Sequence, residues 1–253
     1  MAEKKHKEEI PEEEEEYKEE TLVTPGVLEK YQTAGKIANS FPIKSGVLEK
    51  VCAKCVVGAS VVEISQFGNA EIENECGKAY TKKDLEKGIS FPVCLSVNEI
   101  CGHFSPLASE NVVLKEGDIV KVDLGVHIDG FITQAAHTVV VGEQAATGKK
   151  ADAILAAYFA AQAGIRLMRP GQKNSEITQT IASVCETYKN TPLEGVLSHE
   201  MKKHVIDGNN CIINKENFEQ QVEEFEFQVN QVFALDIIVS SGEGKSKEVY
   251  YFQ

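Results

Sequence analysis

The chain contains no stretch of about 18 apolar residues, which excludes a membrane-spanning helix and a membrane partner. Its first residues are too charged to hold the apolar segment of a secretory signal, so a cytosolic or nuclear protein is expected. The seven cysteines, Cys52, Cys55, Cys76, Cys94, Cys101, Cys185 and Cys211, are an odd number without paired spacing. That fits reduced thiols in a reducing compartment. No repeat of solenoid period is present. Basic residues are in deficit, 26 Lys and Arg against 39 Asp and Glu. Lys202, Lys203, Lys245 and Lys247, though able to touch phosphates, therefore read as a solvated face.

What is present suffices for a core: 253 residues, 42% of them hydrophobic, can build one large domain. The acidity is uneven, because Met1 to Glu20 holds ten Glu and four Lys, −6 of the chain's −13. A run such as EEIPEEEEEYKEE buries too little apolar surface to offset its ordering entropy. Residues 1–22 are therefore expected to be an acidic disordered tail and residues 23–253 the folded domain. The ending EVYYFQ fits a tag-cleavage pattern as well as natural sequence.

Apolar residues at helical spacing predict helices over Val27 to Ala38 and Gly46 to Ile64, broken at Pro42. FPVCLSV (Phe91 to Val97) reads as a strand after a polar turn at Lys83 to Lys87. Ile119 to Ile128 and Phe131 to Val141 read as a hairpin around Asp129-Gly130. Lys150 to Leu167 is a predicted helix, and a second runs from Ser175, taken as its N-cap, to Tyr188. VFALDIIVS is a further β-rich run. Strands interleaved with helices, with a clear antiparallel hairpin, indicate an α+β fold.

Alternation puts Val120, Val122, Leu124, Val126 and Ile128 on a buried face, and Lys121, Asp123, Gly125 and His127 on the other. A two-residue loop pairs Ile128 with Phe131, Gly125 with Gln134 and Asp123 with Ala136. Asp123 and Gln134 become diagonal neighbours, with small Gly125 and Ala136 leaving room between them. Two carboxylates there would suit paired hard cations; here one of the two is a neutral amide. The plainer reading makes Asp123 a cleft-edge polar residue satisfied by backbone, water or Lys121.

Three patterns mislead. CAKC has zinc-knuckle spacing but no second pair, and reads as cysteines on an apolar helix face. SHEMKKH spaces its histidines five apart, which on a helix would not share a face as H-E-x-x-H does. GEGKS lacks the earlier glycine of a P-loop, with Val239 in its place.

KEGDIVKVDLGVHIDGFI, FPVCLSVNEICGHFSPL, TPLEGVLSHEMKKHVIDG and VFALDIIVSSGEGKSK, between about Thr24 and Lys247, together resemble the creatinase and methionine aminopeptidase superfamily. Within it they look most like the proliferation-associated, Erb-receptor-binding branch. The resemblance implies a pita-bread fold with a mixed, mainly antiparallel curved sheet, C-terminally incomplete and so expected to be less stable or compensated by a partner.

By the same resemblance, the active enzymes' five metal ligands fall on Asp123, Gln134, His199, Asp236 and a C-terminal Glu that lies outside this chain. Two are unchanged, the bridging Asp is Gln134, and a Glu is shortened to Asp236. His103 matches the substrate-contacting histidine. Lost anionic ligands predict no dinuclear centre, no bound metal and no cofactor. The expectation is a monomeric pseudoenzyme of cytoplasm, nucleus and nucleolus, regulating growth and translation through ribosome, ribosomal RNA and regulatory protein partners. A mononuclear metallopeptidase on Asp123, His199 and Asp236 is the alternative. A binding module whose contact is the acidic arm is the third.

Overall fold

The computed structural model describes residues 20–39, 46–142 and 145–247. The expected tail, the Pro42 break and the EVYYFQ end lie outside, apart from Glu20 to Leu22. Three helices open the chain: α1 (Val27–Ala38), α2 (Val47–Lys54) and α3 (Val61–Lys78). The helix expected from Gly46 to Ile64 is thus two, and the second runs far beyond Ile64. The backbone leaves helical geometry at Cys55, with φ −76° and ψ 73°, and turns on through Gly58, whose left-handed φ is 82°. Ser60 then caps α3 by accepting the Glu63 N–H.

Strands β1 (Lys87–Val97), β2 (Ile119–Ile128) and β3 (Phe131–Val140) form one antiparallel sheet. Its register is the expected one, with Ile128 facing Phe131, Gly125 facing Gln134 and Asp123 facing Ala136. Val120, Val122, Leu124, Val126 and Ile128 are completely buried. They pack against Ala34, Val47, Val51 and Ile64 of the three helices in the larger core. Complete burial of five aliphatic side chains at alternate positions leaves the register no competitor, since a one-residue slip would expose them all.

After β3 come α4 (Gly148–Leu167) and α5 (Asn174–Thr187), then the short strands β4 (Thr191–Pro192), β5 (Leu197–Met201), β6 (Cys211–Ile213), β7 (Val232–Ala234) and β8 (Val239–Ser240). Ser175 is not the cap of α5. Lys173 holds that place, and the Ser175 hydroxyl instead donates to Glu224. The strands order β6-β5-β7 and β4-β8, and every strand pairing among the described residues is antiparallel. The smaller core joins Ala156, Ala160, Ile177, Ile181 and Ile212 to Phe227.

The two parts meet at the hairpin tip. Asp129 accepts from Lys30 of α1 at 2.5 Å and lies 3.5 Å from Lys203 in the turn after β5. The His204 N–H donates to the Gly130 carbonyl at 2.8 Å. Both lysines sit over the Phe131 ring, at 5.1 and 5.6 Å from its centroid. The SHEMKKH histidines are therefore on a strand and a turn, and CAKC spans the end of α2. Burial pushes the Cys52 thiol up to about 12 and that of Cys55 to about 11.

Candidate functional site

Asp123 lies on β2, on the polar face of the sheet, with Cys94 of β1 paired to it on one side and Ala136 on the other. Its carboxyl is pushed up to about 6, first by burial and next by the charge of Asp236, while His103 works the other way. Asp236 stands between β7 and β8, and burial raises its pKa while His103 and His199 lower it. Four of the predicted positions, His103, Asp123, His199 and Asp236, thus act on one another electrostatically.

The chain holds His199 and Asp236 together through their neighbour. The Ser198 hydroxyl donates to the Asp236 carbonyl at 3.1 Å and accepts the Asp236 N–H at 2.9 Å. His199 Nδ1 lies 3.3 Å from both the Gly208 carbonyl oxygen and the Cys211 sulfur. A proton on Nδ1 donates to that carbonyl and leaves Nε2 as the ring's acceptor. His103, exposed on the loop after β1, has a left-handed φ of 60°. Gln134 is half-buried on β3, directly across from Gly125.

Two expectations fail here. Lys121 is no partner of Asp123, because its ammonium donates to the Asn98 carbonyl at 2.6 Å. Burial pushes that amine down to about 8. Nor does Gly125 leave space for an ion. β1 breaks register between Ile89 and Cys94, around Pro92, and brings Ser90 and Phe91 over the glycine. A Cβ on Gly125 would meet the Ser90 hydroxyl and the Phe91 ring, with Phe91 Cδ1 at 2.8 Å.

Phe91, Ser90 and Cys211 belong to this site and were not foreseen. A proline inside an apolar strand is the one sequence signal for the bulge. The residues present do not fit the pair of hard cations associated with the resembled enzymes. One facing position is an amide, and the gap beside it is filled. Among the described residues no group of three or more His, Cys, Asp or Glu side chains is arranged to hold a metal ion.

The sequence model of metallopeptidase family M24 matches residues 35–247. Proliferation-associated protein A of Dictyostelium discoideum is 48% identical, over 90% of this chain and 59% of its own length. ERBB-3 binding protein 1 of Arabidopsis thaliana is 45% identical, over 91% and 58%. The chain therefore spans about three-fifths of the length of these curated relatives. The crystal structure of methionine aminopeptidase from Rickettsia prowazekii superimposes with a TM-score of 0.70 at 20% identity, over 90% of this chain and 84% of that one.

Proposed function

Because the chain belongs to metallopeptidase family M24, with its pita-bread fold, and to the proliferation-associated branch, we propose that it is a non-catalytic aminopeptidase-fold protein. It works by binding: ribosome or ribosomal RNA and regulatory proteins are its partners, and growth, translation and ribosome biogenesis are what it regulates. It does so in cytoplasm and nucleus. No helix among the described residues is long and apolar enough to cross a membrane.

The observation that carries this reading is Gln134, an amide facing Gly125, at the position where the family resemblance implies a bridging carboxylate in the active enzymes. A dinuclear hydrolase needs that carboxylate to hold two cations close together and so generate hydroxide at neutral pH. Asp123, Gln134, His199 and Asp236 are then the ligand-equivalent positions of a cleft kept for packing or peptide docking, with His103 at its rim. One relative's name, for binding ERBB-3, supports a regulatory protein among the partners.

A second reading, a mononuclear metallopeptidase, draws on the mutual influence of Asp123, His199 and Asp236. One experiment separates the two. Purified protein and Gln134→Asp are titrated with manganese and cobalt, followed by elemental analysis and release of N-terminal methionine from a short peptide. No stoichiometric metal and no release from the parent are expected. Tight binding of one or two ions with methionine release would overturn the proposal.

A further inference from the structure

Residues 215–226, KENFEQQVEEFE, form a loop between β6 and β7 with five Glu and one Lys. Its base is clamped. Buried Asn174 donates to the Cys211 and Glu223 carbonyls, both at 3.0 Å, and accepts the Phe225 N–H at 3.1 Å. Phe225 and Phe227 pack with Phe233, their rings 5.1–5.9 Å apart. The tip is shaped as well, because Asn217 Oδ1 accepts the N–H groups of Glu219 at 2.9 Å and Gln220 at 2.6 Å.

On that held tip Phe218 is fully exposed, at 103%. An aromatic ring in water contributes nothing to folding by burial. Beside it lies a cavity of about 460 Å³, lined by Ile213, Glu216, Asn217, Phe218, Gln221 and Val222. Two of the loop's charges are engaged elsewhere, Lys215 with Glu194 at 2.8 Å and Glu224 with Lys173 at 2.6 Å. Glu216, Glu219 and Glu223 have no ion-pair partner among the described residues.

We infer that this loop is a docking site for an arginine- or lysine-rich segment of a partner protein, with Phe218 as its aromatic anchor. A long cationic side chain matches both features. Its methylenes cover the Phe218 ring and the Ile213 and Val222 floor, while its charge meets Glu216 and Glu219. Because the loop is already ordered, binding forgoes most of the usual ordering cost. The same carboxylates repel a nucleic-acid backbone. None of this depends on whether the cleft is catalytic.

Fluorescence anisotropy of a labelled short peptide alternating arginine and alanine tests it on the full chain. Phe218→Ala removes no packing within the fold, and it is expected to weaken binding about tenfold at low and high salt alike. Glu216→Gln with Glu219→Gln is expected to weaken it about tenfold at low salt and little at high salt. A peptide carrying glutamate for arginine is expected not to bind. Failure of the parent to bind the arginine peptide, or binding by both variants as tight as the parent's, would each overturn the inference.

Discussion

Asp129 and Asp123 lie six residues apart on one hairpin, and their surroundings treat them oppositely. At the tip, burial alone would raise the Asp129 pKa, but Lys30 and Lys203 outweigh it and hold the carboxyl below its usual range. In the middle, burial first and the carboxylate neighbour Asp236 next raise Asp123 to about 6. The cation on the same face, Lys121, is turned toward Asn98 instead. Where a carboxylate joins parts of the fold, the chain supplies it with positive charge. In the cleft it leaves two carboxyls short of it, which is how functional sites differ from structural ion pairs.

The contrast requires that both aspartates hang on one rigid element, and the largest predicted effect tests that. Leu124 is completely buried beneath the strand that carries Asp123. Leu124→Ala is expected to cost about 3 kcal/mol in denaturant unfolding, from lost burial plus an unfilled cavity. It should lower the protection of amides at the tip and in the middle together. Loss confined to one end would show two independently held segments.

Asp123→Asn comes next. A carboxyl raised in the folded state penalises folding only when ionised. The penalty is absent below the unfolded value near 3.8, grows as pH rises and is complete above about 6. The amide variant is therefore expected to be more stable than the parent by on the order of 2 kcal/mol at neutral pH. That advantage should vanish toward pH 4. Urea unfolding at the two pH values measures it, and a variant less stable at neutral pH would mean that Asp123 is compensated after all.

The hairpin was legible because every cue agreed: alternation over ten residues, an Asp-Gly turn and a face of five aliphatics that tolerates no slip. Phe91 over Gly125 was not, since two register breaks around Pro92 put that ring where simple alternation does not. The split between α2 and α3 hid in Val56 and Val57, which continue an apolar pattern past Cys55, where the backbone has already left helical geometry. Strands β4 to β8 have two to five residues, too few for a period to show. Their positions depend on single side chains such as Ser198 and Asn174, which bond across 38 and up to 51 residues of sequence. Periodicity carries no signal of that kind. His199 and Asp236 were accordingly placed by family resemblance, whereas the diagonal placement of Asp123 and Gln134 followed from register.

The smallest effect is the sharpest test of the contrast, because it reverses the sign at the other end of the same hairpin. Asp129→Asn keeps a side chain that tolerates the left-handed φ of 54° at this position, so only the charge is removed. The Asp129 pKa is depressed in the folded state. Its stabilisation is therefore present above the unfolded value near 3.8 and is lost as pH falls through the lower folded value. The amide variant should be less stable than the parent by about 1 kcal/mol at neutral pH, since the ion pairs are partly exposed. The difference should close below pH 4. Against Asp123→Asn the pair should move stability in opposite directions at pH 7. If both amides stabilise, Lys30 and Lys203 do not neutralise the tip, and an uncompensated carboxyl ceases to mark the cleft.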